Sequence, residues 1–416
     1  MVVMAERRAI DLCAVVKEPE ELAMSGETEP ARAAALDGVL VADFSRALAG
    51  PIAGMFLADL GATVVKVERT GVGDETRQWG PPYVGSLAAY YCSVNRNKRS
   101  VELDLANQAD RALAQTLARR ADVLIENFLP GKLAGFGLDD DALRAHNPRL
   151  VYCSITGFGG GSNLPGYDFV IQAASGLMSV TGPAGGEPTK VGAPVADVLT
   201  GLHATIGILA ALHERERSGL GQRVEVNLLS SMLSSQVNLA TGFVNGAPEP
   251  GRMGNRHPSI TPYETFATGD GPIAIAAAND RQFRDLVTEL GRPELGDDPR
   301  FATNPERVAH RDELGSILES ALRADTAAGW AARLQARNVP CGPVNRMGGA
   351  VELAQALGLD PVVRFDTSEG EVATLASPLR LDASPVGYRR PPPPLGADSA
   401  EIRAWLADDA GAGLRG

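Results

Sequence analysis

The chain has 416 residues, 44% of them hydrophobic and 22% charged, and a net charge of −12 at pH 7. This length favours two domains over one core, and the acidity argues against general nucleic-acid binding, although an anionic ligand needs only a few local cations. The four cysteines form no C-x-x-C pair and the five histidines show no ligand spacing, so neither a disulfide framework nor a metal site is indicated. No run of about 20 apolar residues stands out, and the expectation is a soluble, reduced, cytoplasmic protein without a membrane span.

Residues 1–36 are rich in Ala and Glu, lack a secretory h-region, and predict a poorly ordered extension, with Met24 as an alternative start. Val39–Phe44 is a short apolar run typical of a buried strand. Ile52–Leu60 has helical periodicity with Pro51 at its start and Gly61 after it, and Ala62–Glu68 is a second strand. Strand, helix and strand in about 30 residues make a βαβ unit with a parallel sheet. The turn lacks G-x-G-x-x-G, so the dinucleotide fingerprint is absent. Arg69–Arg77 combines two cations with glycines, which suits either a phosphate or an ordinary loop salt bridge.

Asn95–Arg99 is basic and runs into a strand, followed by a helix over 107–120 and strands at 121–126 and 150–155. The alternation is that of an α/β domain with a Rossmann-like parallel sheet. Gly157–Ser162 reads equally as a phosphate cradle or a flexible loop. Asp168, opening a helical run to about 180, reads as an N-cap. Asp197 lies between the extended run from Val191 and a helix expected over 198–217. It reads as a nucleophile or base if its surroundings are dry, or as an N-cap. A Gly/Pro-rich stretch over 246–262 marks a boundary or functional loop. A hairpin around Gly269–Gly271 and three helices then predict a smaller α+β unit. The predicted division is a large domain over 37–224, a small one over 225–335, and a C-terminal segment over 336–416 returning to the large domain.

The segments D-F-S-R-A-L-A-G-P (43–51), D-L-G-A-T-V-V-K-V-E-R (59–69), N-R-N-K-R-S-V-E-L-D-L (95–105), A-D-V-L-I-E-N-F-L-P-G (121–131), G-Y-D (166–168) and G-Q-R-V-E-V (221–226) stand out in this order and spacing. Together they resemble the family III CoA-transferases, a group that also contains α-methylacyl-CoA racemases. The resemblance implies that Asp197 is a nucleophile that attacks an acyl-CoA thioester. A mixed anhydride and then an aspartyl-CoA thioester would carry CoA to a small carboxylic acid. It implies coenzyme A as substrate, with no permanently bound cofactor and no metal, and an interlocked homodimer.

For CoA contacts the resemblance points to Ala47, Arg69, Leu103, Asn127 and Phe128, with Arg77, Arg96, Lys98 and Arg99 as further phosphate candidates. Arg46, Leu48, Tyr167, Gly254, Arg256 and His257 become substrate or lid candidates, with Arg46, Arg252, Arg256 and His257 available to a distal carboxylate. The loop Gly251–Asn255 resembles the family's lid and is a candidate source of backbone N–H groups. Leu48 and Arg46 stand where oxalate–formate members carry Gln and His, so the resemblance is nearer to members using succinyl-CoA and a dicarboxylic or branched acid. The racemase alternative requires a His before the G-x-D aspartate. Tyr167 stands there, a poor base at neutral pH, and Asp280 lies near the place of the racemase Glu. A non-catalytic CoA-binding protein is the other alternative.

Overall fold

The computed structural model describes residues 33–408 and Leu414. The reading of 1–36 therefore lies outside the described residues, apart from 33–36, where Leu36 donates its N–H to the Leu60 carbonyl at 2.9 Å. The chain divides into two compact units. Of the described residues, the larger holds 33–179, 190–250 and 360–408, and the smaller holds 180–189 and 251–359.

The larger unit is built on six strands: β1 (Leu40–Asp43), β2 (Thr63–Glu68), β3 (Lys98–Glu102), β4 (Val123–Glu126), β5 (Val151–Thr156) and β6 (Arg223–Asn227). They pair in the order β3-β2-β1-β4-β5-β6, all parallel. This is the doubly wound order of a Rossmann sheet, with its switch point between β1 and β4. Helices of this unit include α1 (Ala49–Asp59), α2 (Gln108–Arg120), α3 (Asp168–Ala174), α4 (Val195–Ser218), α5 (Leu228–Ser235) and α6 (Val237–Val244).

Period-two alternation along the strands makes the two-sided core. Val41, Val64 and Ile125 face α1 and α4, packing with Leu57, Ala204 and Ile208. Their neighbours Ala42, Val65 and Leu124 face the other way, toward Leu117 and Ala118 of α2. Each fully buried Leu or Ile contributes about 1.5–3 kcal/mol. By length and hydropathy α4 would suffice to cross a membrane, which the sequence reading missed. Here it is the central core helix, with Ala196, Ala204 and Ile208 fully buried.

The predicted boundary at 225 falls inside this sheet: Val226 of β6 pairs with Ile155 of β5. The smaller unit is instead a three-stranded antiparallel sheet. Its strands are β7 (Tyr263–Ala267), β8 (Pro272–Ala276) and β9 (Cys341–Pro343), in the order β9-β8-β7. Against it pack α7 (Asp280–Glu289), α8 (Arg311–Leu322) and α9 (Ala327–Ala336), whose Phe283, Leu286, Leu314 and Trp330 share its core. β9 adds to the sheet edge after 335, so the expected C-terminal segment starts in the smaller unit.

Residues 360–408 return to the larger unit, with a hairpin of β10 (Val362–Thr367) and β11 (Gly370–Leu375) and a last helix α10 (Ser399–Ala407). Ile402 and Leu406 of α10 join the α2 face of the core. The segment also covers edge strand β3: Ser100 donates its N–H to Asp398 at 3.0 Å, and Arg99 pairs with Asp398 at 3.1 Å and with Glu401.

Candidate active site

Parallel α/β sheets bind ligands where neighbouring strands send their connections to opposite faces. The loops after β1, β4 and β5 open there around a cavity of about 600 Å³, within the range of a small-ligand or cofactor site. Ala47, Leu48, Asn127, Phe128 and Gly157 line it, with Tyr90, Tyr167, Lys190 and Asp197.

Asp197 does not occupy the position expected of a cap. It is the third residue of α4, whose N-cap is Pro194 with no side chain to offer. The orphan N–H groups of that first turn are taken from outside the helix: Asp168 accepts from Ala196 N at 2.8 Å and from Asp197 N at 3.3 Å. Asp168 is likewise not the cap of its own helix, because Tyr167 holds that position. The Asp197 carboxyl instead faces the backbone N–H of Ala49, the first residue of α1, which favours its ionised form. Gly201, one turn on, permits this approach, since a Cβ there would lie 2.7 Å from the Ala49 carbonyl oxygen and 2.8 Å from an Ile52 methyl.

Burial, followed by the charge of Asp168, raises the Asp197 carboxyl to about 7 against the opposing Ala49 N–H. Desolvation and like charge act together here, and no cation among the described residues offsets them. The Tyr90 phenol is raised by burial and then by Asp197 and Asp168. Its ring stacks edge-on against Trp79 at 5.0 Å.

The loop after β1 is fixed from two sides. Asn127 accepts from Arg46 N at 2.9 Å and donates to Arg46 O at 2.7 Å. Asp74, held by the Lys66 ammonium at 2.8 Å, accepts from Ala47 N at 3.3 Å. Ala47 is thereby kept at a φ of 63°, in the left-handed region that costs a non-glycine residue energy. The Arg46 guanidinium lies 5.3 Å from the Phe128 ring centre and 3.6 Å from Glu75.

The structure brings Arg46, Ala47, Leu48, Asn127, Phe128, Tyr167 and Asp197 to one cavity. Arg69 is exposed just past β2. Four cations expected at CoA phosphates are engaged inside the fold. Arg77 pairs with Glu68 at 2.6 Å and donates to the Pro393 carbonyl. Arg96 pairs with Asp59 at 2.6 Å and donates to the Leu375 carbonyl. Lys98 meets Asp43 at 2.9 Å with its side chain fully buried, and Arg99 is held by α10 as described. Leu103 is a core residue packed among Val65, Val67 and Val101.

The lid candidates lie in the smaller unit. Gly254 has a φ of +64° and donates its N–H to the Gly182 carbonyl. Arg256 is paired with Glu264 at 2.9 Å and Asp312 at 2.6 Å, and His257 packs on Tyr263 at 5.1 Å. Asp280 is paired with Arg307 at 2.7 Å. Three cavity residues were missed in the sequence: Asp168 as a partner of Asp197, Tyr90, and Lys190. A lone cation seven residues before Asp197 was a usable signal; the other two depend on tertiary contact.

Residues 36–399 match CoA-transferase family III. The chain belongs to that family. This family III CoA-transferase is 41% identical over 389 residues to the succinate–glutarate CoA-transferase of Agrobacterium fabrum, covering 91% of this chain and 97% of that protein. It is 39% identical over 371 residues to the human succinyl-CoA:glutarate CoA-transferase, covering 88% and 85%. Among solved structures, a CAIB/BAIF family protein from Brucella suis aligns with a TM-score of 0.81 at 40% identity, over 90% of this chain and all of that one. The protein is thus an enzyme that moves coenzyme A between an acyl thioester and a carboxylate.

Proposed function

We propose that this CoA-transferase works through Asp197, with succinyl-CoA or a similar dicarboxylic acyl-CoA as donor and a small dicarboxylic acid as acceptor. The observation that carries the reading is the isolated, raised carboxyl of Asp197 against the first N–H of α1, inside the switch-point cavity. The Asp197 carboxylate attacks the thioester carbonyl, the C–S bond breaks, and CoA leaves as thiolate from a mixed anhydride. The thiolate then attacks the aspartyl carbonyl, releasing the donor acid and leaving an aspartyl-CoA thioester. The acceptor carboxylate attacks that thioester, and the expelled thiolate takes the new acyl group and frees Asp197. Each step conserves the energy of the thioester. The Ala49 N–H, at a helix N-terminus, is a suitable donor to the aspartyl oxyanion.

The dicarboxylate reading is supported by the activities of the two CoA-transferase relatives and by Arg46 and Lys190, the two cations that line the cavity among the described residues. In this reading Ala47 lines the thioester end of CoA, Asn127 and Phe128 contact CoA from the same cavity, and the exposed Arg69 meets its adenine or phosphates. Self-association, implied by the family resemblance, is supported by α6. None of its residues is buried, and Val237, Phe243 and Val244 are 67%, 51% and 76% exposed. A Phe243→Asp variant run in sedimentation velocity tests it.

The direct test of the reaction is isotope exchange. With succinyl-CoA and labelled succinate alone, label enters succinyl-CoA, and glutarate then competes for it. Absence of exchange with any acyl-CoA, together with α-proton exchange in a 2-methylacyl-CoA, would replace this reading by a racemase.

A further inference from the structure

We propose that Asp168, locked by Gln172, is a positioning residue for the Asp197 nucleophile: it caps the helix that carries Asp197 and holds a second negative charge against that carboxyl. The inference rests on Asp197 being the nucleophile.

Helix α4 starts at Pro194–Val195 with no capping side chain of its own. An acid in the first turn of such a helix is normally drawn to the free N–H groups there and stabilised as the anion. Asp168 occupies those donors through one carboxylate oxygen, at 2.8 and 3.3 Å. The Asp197 carboxyl is therefore left pointing at Ala49 and the cavity. The other Asp168 oxygen accepts from Gln172 Nε2 at 2.7 Å. Gln172 is fully buried, and its Oε1 accepts from Val191 N at 2.8 Å. One side-chain pair on α3 thus grips both ends of the segment 191–197. That segment delivers the nucleophile to the substrate.

The groups facing Asp197 are Asp168 from α3, Tyr90 from the short helix Ala89–Cys92, and the Ala49 N–H from α1. Arg46, Glu75 and Lys190 line the same cavity. Burial is the larger penalty on the ionised form of Asp197, and Asp168 is the one of these groups that adds to it by direct charge. Acylation converts that anion into an uncharged anhydride or thioester. The repulsion and desolvation that raise its proton affinity are relieved in the same way when Asp197 is acylated. Asp168 thereby makes Asp197 a more basic nucleophile, at the cost of a narrower acid limb.

The test is the pH dependence of aspartyl-CoA formation from succinyl-CoA, followed by rapid quench and intact-protein mass, in wild type, Asp168→Asn, Asp168→Ala and Gln172→Leu. Asp168→Asn keeps an accepting oxygen and removes the charge. It is expected to move the midpoint of the acid limb down by at least half a pH unit with the fold retained. Asp168→Ala loses cap and charge and is expected to slow acylation about 100-fold, and Gln172→Leu about 10-fold with no change in CoA binding. Thermal melting and CoA binding by calorimetry separate unfolding from loss of positioning. An unchanged midpoint in Asp168→Asn, with rates within twofold of wild type in all three variants, overturns the inference. If instead an adduct still forms in Asp197→Ala, the nucleophile reading itself is wrong.

Discussion

Asp43 at the end of β1 is met by Lys98 at 2.9 Å, with Lys66 nearby, and both lysines are fully buried with it. Asp197, across the same sheet edge, is faced by another carboxylate, the Tyr90 phenol and a backbone N–H. Burial pushes both carboxyls up. At Asp43 the two lysines and the Ser45 hydroxyl outweigh burial and hold the group below its ordinary value. At Asp197 nothing outweighs it, and the group rises to about 7. The paired carboxylate holds Ser45 at the start of the loop after β1, whereas the unpaired one is the group proposed above as the nucleophile. Strongly raised carboxyls without a cation partner concentrate at functional sites.

Substitutions at the two positions should therefore fail in different ways. Asp197→Ala should lower transferase activity by on the order of 10⁴-fold or more, as removal of a covalent nucleophile does. Its melting temperature should stay at or above that of wild type. Lys98→Met should do the reverse. It strands Asp43 without its partner, a loss of about 3–5 kcal/mol, which thermal melting should read as a fall of about 10 °C. Equal loss of stability in both variants would remove the distinction.

The two sites also respond to pH with opposite sign. Asp43, Asp74 and Glu68 have folded-state pKa values below their unfolded ones. The stability they confer is present above their ordinary range and lost as the pH falls through it, so acid unfolding should set in below about pH 4. Asp197 is raised, so the fold favours its neutral form; that contribution is fully present below the ordinary carboxyl range and is lost as pH rises from there through about 7. Activity should accordingly climb with pH to a plateau above about 7, as the nucleophilic anion forms. The smallest effect follows from the same shift: Asp197→Asn should raise the melting temperature at pH 8, and the gain should shrink as the pH is lowered and vanish below about pH 4, which melting scans across that range would check.

The sequence carried most of the sheet, because buried parallel strands are short apolar runs whose ends are marked by Gly and polar residues. Val39–Phe44, Ala62–Glu68 and Leu150–Ile155 were read within one or two residues of β1, β2 and β5. It also carried Asp197 and the cavity loops at 46–48 and 127–128, through the resemblance. It did not carry the fate of Arg77, Arg96, Lys98 and Arg99. Three of these meet residues about 280–316 positions away, in the returning segment, and cations in a basic run look the same whether solvated or buried. The domain boundary was misplaced because β6 follows α4 in sequence but completes the sheet beside β5. Asp168 looked like a local cap because its helix follows it directly, while its actual partners lie 28 and 29 residues on.

The most direct test of the central claim is peptide mass spectrometry of the enzyme after succinyl-CoA, with hydroxylamine trapping, beside Asp197→Ala. A hydroxamate on the peptide containing Asp197, absent from the variant, is the predicted result. Trapping on any other residue, or equal trapping in the variant, would contradict it.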